Sequence, residues 1–131
     1  QLLLGLAFLH FNGIAHRDMK SANILATTGM DGSLVLKLAD FGTARDLTKP
    51  PSGLSARAMT APGTPLWAAP EVIRRAPFSI QDEGETTPTP ADSEGDLWRR
   101  ADVWSLGCVV LEMCSGAPPW LLETQFSDPV Q

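Results

Sequence analysis

The residues best suited to chemistry lie in two short segments. Asp18, Lys20 and Asn23 follow one another closely, and Asp40 opens a later Asp-Phe-Gly tripeptide. A carboxylate can orient a hydroxyl and accept its proton, and a nearby ammonium can neutralise charge on a phosphate. An amide oxygen and a second carboxylate are hard ligands of the kind that Mg²⁺ prefers. This ordered set predicts phosphoryl transfer, which needs positioning and charge neutralisation more than covalent help.

Each of these residues taken alone has a simpler interpretation. An isolated Asp18 would be a helix cap or a loop acid, and an isolated Lys20 would be a solvated surface cation. Asn23 and Asp40 alone would be turn formers. His16, which lies between apolar positions, is expected to be a packed and hydrogen-bonded core histidine. The chemical interpretation therefore depends on the whole ordered set.

The surrounding pattern predicts the elements that would position these residues. Residues 1–10 are apolar almost all round, which is typical of a helix buried on several sides. Two short strands are expected at residues 24–26 and 34–38, with a glycine-containing hairpin loop at 27–32 between them. A central core helix, again apolar on every face, is predicted from about residue 102.

Two stretches are predicted to be irregular. Residues 43–62 combine hydroxyl side chains and prolines with little periodicity, so we expect a mobile loop. Residues 81–96 contain acidic residues and prolines but no basic residue. Such a segment cannot bury enough apolar surface to offset its ordering entropy, which predicts a disordered acidic insertion.

The composition limits the classes of protein to consider. The chain has 131 residues, 44% of them hydrophobic, and a formal net charge of −5. This length allows one domain with a core, and the acidic balance argues against nucleic acid as the main partner. No secretory signal is visible, and no apolar run approaches the about 20 residues that span a bilayer. Cys108 and Cys114 lack metal-ligand spacing and are expected to be buried thiols in a reducing compartment. Because Gln1 opens directly into a buried helix pattern, we expect the chain to be a fragment.

Four motifs occur along the chain in a fixed order, at His16–Asn23, Asp40–Gly42, Gly63–Glu71 and Asp102–Cys108. They resemble the catalytic loop, the metal-binding motif, the end of the activation segment and the central helix of a eukaryotic protein kinase of the serine/threonine type. The resemblance covers nearly the whole chain apart from residues 81–96. It implies a partial kinase domain over residues 1–131, with a catalytic loop at 16–23 and an activation segment at 40–71. The implied fold is α+β and mainly helical, namely a carboxy-terminal lobe truncated at both ends.

The resemblance also assigns chemical roles. Asp18 would orient and deprotonate a protein hydroxyl, and Lys20 would supply positive charge beside the γ-phosphate of ATP. Asn23 and Asp40 would hold Mg²⁺. Thr64 pairs with Lys20 in kinases of this kind, which implies serine and threonine rather than tyrosine substrates.

Other positions receive supporting roles. Leu25 would lie under the adenine ring, and Glu71 would pair with an arginine late in the lobe. Asp102 would cap the central helix and hold the catalytic-loop backbone through hydrogen bonds. Gly42 would allow the backbone turn after Asp40.

The switch implied by the resemblance centres on Arg17, which resembles the arginine that captures a phosphorylated activation loop. Candidate phosphate acceptors are Ser52, Ser55 and Thr60, with Thr60 favoured because it lies shortly before Gly63. The alternative is a loop that is never modified.

The segments Gly63–Trp67 and Ser115–Trp120 look most like the sterile-20/mitogen-activated protein kinase kinase kinase group. That group implies ATP and Mg²⁺, a protein substrate such as a downstream kinase, an upstream activating kinase and a cytoplasmic location. It implies neither a nucleic-acid partner nor a membrane span in this chain. Two hypotheses stay open. The first is an active kinase, which the retention of all four polar residues favours. The second is a non-catalytic kinase-like binding module, or an inactive fragment that lacks an amino-terminal lobe.

Overall fold

The computed structural model describes residues 1–49, 64–74 and 94–120. Helix exceeds strand in these ranges, which agrees with the predicted mainly helical class. The helices are α1 Leu2–Phe11, α2 Pro70–Arg74 and α3 Glu94–Ser115. The strands are β1 Ile14–Ala15, β2 Ile24–Thr28, β3 Leu34–Leu38 and β4 Arg45–Asp46. Single turns of 3₁₀-helix lie at Ser21–Asn23, Phe41–Thr43 and Pro65–Trp67.

The predicted hairpin forms, and its register fixes which residues meet at its base. β2 and β3 are antiparallel, with Ile24 opposite Leu38 and Thr28 opposite Leu34. Strand β2 runs two residues beyond the predicted boundary, so the connecting loop is shorter than the sequence indicated. Because the strands run in opposite directions, the residues before β2 and after β3 come to the same end.

A second antiparallel pair joins β1 to β4, with Ile14 opposite Asp46 and Ala15 opposite Arg45. The prediction of a mobile loop over 43–62 is therefore wrong for residues 43–49, which form a 3₁₀ turn, β4 and the turn that follows. The rest of that loop lies outside the described residues. The pairing holds the start of the His16–Asn23 loop beside the segment that follows Asp40.

Helix α1 ends where Asn12-Gly13 was expected to break it. Gly13 has φ of 70°, and a Cβ at this position would lie 2.7 Å from Thr48 Cγ2, so glycine is required for conformation and for space. The prediction of burial on several sides is wrong for the described part of the chain. Leu2 and Leu6 are buried, whereas the opposite face of the helix is exposed.

Helix α3 begins at Glu94, eight residues before the predicted start at about 102. Residues 94–96 of the predicted disordered insertion are therefore helical, and residues 81–93 lie outside the described residues. The early start has a packing cause. Leu97, Trp98 and Ala101 are buried in one cluster with residues of β1 and α2, and this apolar face stabilises the first helical turns.

Two hydrophobic clusters contact α3, which makes it the central helix as predicted. The first unites Leu97, Trp98 and Ala101 with Ala15, Ala69 and Val72. The second unites Leu106, Cys108 and Val109 with Leu2, Leu6, Met19 and Trp67. Cys108 is buried as expected, but Cys114 is exposed because it lies on the other side of the helix, so the prediction of two buried thiols is half wrong.

Candidate active site

Asp18 is the centre of a polar cluster that joins two distant segments of the chain. Its Oδ2 lies 2.8 Å from Lys20 Nζ, and the same ammonium donates a 2.9 Å hydrogen bond to Thr64 Oγ1. Asn23 Nδ2 donates to Asp18 Oδ2 at 3.0 Å and to the Asp18 carbonyl at 2.8 Å. The Thr64 hydroxyl lies 3.4 Å from Asp18 Oδ1. The structure therefore brings together four residues that were each singled out from the sequence: Asp18, Lys20, Asn23 and Thr64.

The surroundings of Asp18 determine its charge. Partial burial raises the pKa of this carboxyl, but the hydrogen bond and charge of Lys20, the Asn23 amide and a backbone hydrogen bond from Thr64 lower it. The lowering contributions prevail, so the pKa of Asp18 lies below its usual range. At neutral pH the side chain is an anion that can accept a hydrogen bond from a hydroxyl.

Asn23 and Asp40 lie at the same end of the β2–β3 hairpin. Strand β2 begins directly after Asn23, and the N–H of Ala39 donates to the Asn23 carbonyl at 2.9 Å. Asp40 follows at once with an exposed side chain. An amide and a carboxylate are thus placed at one end of the hairpin.

The left-handed residue of the turn is Asp40, with φ of 60°, and the prediction that Gly42 would allow this turn is wrong. Asp40 Oδ1 accepts the N–H of Gly42 at 3.2 Å, a local hydrogen bond that helps a short acidic side chain to tolerate positive φ. Gly42 supplies space instead, because a Cβ there would come within 3.1 Å of Asp40 Oδ1.

The donor atoms of Asn23 and Asp40 fit a magnesium ion that also binds phosphate. Asn23 uses its amide nitrogen on Asp18, which leaves its carbonyl oxygen as the donor atom for a cation. Mg²⁺ is commonly held by one or two carboxylates together with water and substrate phosphates. Across the described ranges, no group of three or more His, Cys, Asp or Glu side chains could hold a metal.

Asp102 holds the backbone that carries the cluster. It is only 1% exposed, and it accepts the N–H of His16 at 2.8 Å, the N–H of Arg17 at 2.7 Å and His10 Nε2 at 2.9 Å. This confirms the predicted contact with the loop backbone. The predicted cap is wrong, because α3 begins eight residues earlier and Asp102 lies in its interior.

His16 is a packed and hydrogen-bonded core residue, as predicted. Its side chain is fully buried, and Nε2 donates to the carbonyl of Ala39 at 3.0 Å. The Phe41 ring lies against it, with the two ring centres 5.2 Å apart. His16 thereby links the Asp18 loop to the Asp40 turn without entering the polar cluster.

Arg17 is held from three sides. Its backbone has φ of 67° and its N–H is bound by Asp102, while Nε donates to the carbonyl of Thr43 at 2.7 Å. The guanidinium carbon lies 5.1 Å from the centre of the Trp98 ring. The candidate phosphate acceptors Ser52, Ser55 and Thr60 lie outside the described residues.

The remaining predicted residues do not belong to the hydrogen-bonded cluster. Leu25 pairs with Lys37 across the hairpin, and its side chain is 57% exposed. Glu71 is half-buried in the first turn of α2. Their predicted roles at the adenine ring and in an ion pair stay predictions.

Sequence reasoning missed Glu112, which joins three segments near the site. Its Oε2 accepts Trp67 Nε1 at 3.0 Å and its Oε1 accepts the Ser21 hydroxyl at 2.9 Å. Ser105, seven positions earlier on α3, donates to the Trp67 carbonyl at 2.7 Å. That spacing puts both residues on one helix face, which is the signal that could have identified them.

An open apolar groove of about 420 Å³ lies beside Thr64 along the chain. It runs between the 3₁₀ turn at Pro65, helix α2 and the two exposed indoles of Trp104 and Trp120. Pro65, which follows Thr64 directly, is the groove residue that lies nearest to the polar cluster along the chain.

None of the helices in the described ranges combines the length and the apolar character needed to cross a membrane.

Comparison of the sequence with known proteins identifies a family whose model matches nearly the whole chain. The family model described as "Protein kinase domain" matches residues 1–129. The chain is 42% identical over 120 residues to mitogen-activated protein kinase kinase kinase 3 of Arabidopsis thaliana and 43% identical over 121 residues to the protein of that name in Homo sapiens. It is 39% identical to mitogen-activated protein kinase kinase kinase A of Dictyostelium discoideum. These matches cover 92% of the chain but only 10–15% of the length of the relatives.

Proposed function

The chain belongs to the protein kinase domain family, and we propose that it carries the catalytic centre of a serine/threonine protein kinase in its carboxy-terminal lobe. The observation that carries the proposal is the Asp18 carboxylate, held at once by Lys20 and Asn23 with Thr64 at its edge. The reaction transfers the γ-phosphate of ATP to a serine or threonine hydroxyl of a protein.

Asp18 orients the attacking hydroxyl and accepts its proton. The hydroxyl oxygen bonds to the γ-phosphorus as the bond from that phosphorus to the bridging oxygen breaks, and ADP leaves with the bond electrons. Because the pKa of Asp18 is lowered, it is a weak base, so orientation is its larger contribution. Lys20, 2.8 Å from Asp18, places a positive charge beside the transferred group.

Asn23 and Asp40 are the residues that would hold Mg²⁺. When bound, the ion neutralises charge on the phosphates. The protein's contribution is to keep both donor atoms at one end of the hairpin, which the Ala39–Asn23 hydrogen bond and the Asp40 turn provide. Leu25, exposed on β2, supplies an apolar surface for the adenine ring.

A protein substrate, such as a downstream kinase, would lie along the apolar groove beside Thr64. The groove supplies apolar contacts, while Thr64 keeps Lys20 in place through its hydroxyl. An upstream kinase would act on the segment that contains Thr60, and Arg17 would receive the phosphate.

The test is loss of phosphotransfer in the full-length protein when one carboxylate is removed. Asp40→Asn should lower phosphorylation of a serine-containing peptide at least about 100-fold, and Asp18→Asn should lower it about 10²–10⁴-fold, because positioning and charge neutralisation supply most of the catalysis. The measurement is transfer of labelled γ-phosphate at saturating ATP.

Asp31→Asn is the matched control, because it makes the same chemical change at the exposed tip of the same hairpin. It should leave the rate nearly unchanged. If Asp40→Asn retains full phosphotransfer, the role proposed for Asp40 is wrong. If signalling continues undiminished although Asp40→Asn no longer transfers phosphate, the chain is a kinase-like binding module instead.

A further inference from the structure

Arg17 and Trp98 form a contact that neither the motifs nor the family comparison assigns. Trp98 is only 4% exposed, and the Arg17 guanidinium carbon lies 5.1 Å from its ring centre. Cation–π attraction acts within about 6 Å of an aromatic centre, and it strengthens when the pair is shielded from water. The distance meets the first condition, and the buried Trp98 shields the half-buried Arg17 on one side.

One face of α3 contacts Arg17 at two points. Trp98 and Asp102 lie four positions apart on α3, so their side chains point in one direction. Asp102 binds the Arg17 backbone N–H at 2.7 Å, and Trp98 covers the guanidinium. One rigid element thus fixes both the backbone and the side-chain end of this residue.

Arg17 needs such support because its backbone is strained. A φ of 67° in a long side-chain residue is uncommon and persists only where surrounding contacts impose it. The residue also precedes Asp18 directly, and its Nε binds the carbonyl of Thr43, just beyond the Asp40 turn. A shift of Arg17 would therefore displace both halves of the proposed catalytic centre.

The Trp98 indole makes its contacts through the ring and not through its N–H group. Within the described part of the chain, Trp98 Nε1 is the one buried side-chain N–H without a hydrogen-bond acceptor. An unpaired buried donor destabilises the folded state, so other contacts of the Trp98 ring must offset this cost. Its ring is packed in the cluster of Ala15, Ala69 and Val72 on one side and faces Arg17 on another.

We propose that Trp98 is a positioning residue for Arg17, holding the Asp18 loop and the Asp40 turn in register through a cation–π contact that requires no phosphate. The catalytic part of this inference rests on the proposed kinase function. Its consequence is that the Arg17 guanidinium stays against the Trp98 ring in the phosphatase-treated protein.

The experiment is a double-mutant cycle in the full-length, phosphatase-treated protein. Trp98→Leu keeps an apolar side chain but removes the aromatic face, and Arg17→Met keeps the stem but removes the charge. We expect Trp98→Leu to lower kcat about tenfold with little change in the KM for ATP. In the Arg17→Met background the same substitution should lower kcat no further. Trp98→Phe, which retains a ring, should recover most of the rate.

Leu97→Ala is the matched control for general loosening of α3, because it removes a neighbouring buried side chain. Its effect should be the same with and without Arg17. An equal effect of Trp98→Leu in both backgrounds, or a Trp98→Phe protein as slow as Trp98→Leu, would overturn the proposal.

A second readout separates this inference from the proposed function. The wild type, Trp98→Leu, Arg17→Met and the double variant are unfolded by heat. The shift in the midpoint temperature of unfolding caused by Trp98→Leu is then compared in the presence and absence of Arg17. A smaller shift in the Arg17→Met background supports the contact even if the protein transfers no phosphate. Additive shifts overturn it whatever the activity.

Discussion

Lys20 lowers the pKa of Asp18 and also fixes its position. Burial alone would raise the pKa of Asp18, and the hydrogen bond and charge of Lys20 are the largest contributions that lower it. A carboxyl whose pKa is lowered on folding stabilises the native state above its unfolded pKa, here 3.8. That stabilisation is lost as the pH falls through the folded pKa.

Removing the Lys20 charge should therefore raise the pKa of Asp18. We expect Lys20→Met to move the titration of Asp18 upward, because the substitution removes a hydrogen bond and a positive charge that both lower the pKa of this carboxyl. The measurement is the pH dependence of the Asp18 carboxyl signal by NMR. Lys37→Met, at an exposed position on β3, is the control and should leave the titration where it is. An unmoved Asp18 in Lys20→Met would contradict the assigned cause.

The residue types of the site were predictable because they occur in a spaced, ordered set. Asp18, Lys20 and Thr64 were each named from the sequence, and the structure brings them together. Trp98 was not, since a single tryptophan on an apolar helix carries no spacing signal, and Glu112 was missed although it shares one helix face with Ser105. Their partners become evident only when α3 is packed against the loops.

At the scale of elements, α3 connects the loops through one buried carboxylate. Asp102 is itself 1% exposed, and its carboxylate accepts from two backbone N–H groups and from His10. Removing one partner from a buried charged network costs more than removing an exposed pair, because the remaining groups lose hydration without compensation.

Asp102→Asn should thus destabilise the protein by about 2–4 kcal/mol. Asp96→Asn, on the same helix, removes an exposed carboxylate that lies 3.0 Å from Arg99, and it should cost less than about 1 kcal/mol. Urea unfolding of both variants measures the difference. Equal losses would mean that the Asp102 network contributes no more than a surface pair.

The start of α3 shows where sequence reasoning failed among the elements. Acidic residues and prolines in 81–96 predicted an irregular segment, yet the last three positions of that range are helical. The deciding interaction is tertiary, because Leu97 and Trp98 are buried against α2 and β1. This packing stabilises the helix at these positions. The hairpin, by contrast, was predictable because its strands and glycine turn are local.

At the scale of the whole molecule, the described helices leave large apolar faces uncovered. In α1, Leu4 is 75% exposed, Phe8 68% and Phe11 90%. In α3, Leu111 and Met113 are more than half exposed. Exposed apolar patches of this kind favour association with other surfaces.

The 131-residue polypeptide made by itself should therefore associate in solution. We expect sedimentation velocity to find species larger than a monomer, and the double substitution Leu4→Gln with Phe8→Gln to increase the monomer fraction. Leu6→Gln is the contrasting control, because Leu6 is buried and its replacement should unfold the helix without improving solubility. A fully monomeric wild-type chain would show that these faces do not drive association.

The β2–β3 hairpin has Asn23 and Asp40, the proposed magnesium ligands, at one end and a solvent-facing tip at the other. Near the base, Ile24 is paired with Leu38; at the tip, Met30 is fully exposed and nothing lies within 4 Å of where a Cβ at Gly32 would be. Strand pairing, and not the length of the loop, fixes which residues meet at the base of the hairpin. Residues added between Gly29 and Ser33 would therefore extend into solvent. The tip is therefore a natural attachment point for a fluorophore or an epitope, away from the residues that would handle phosphate.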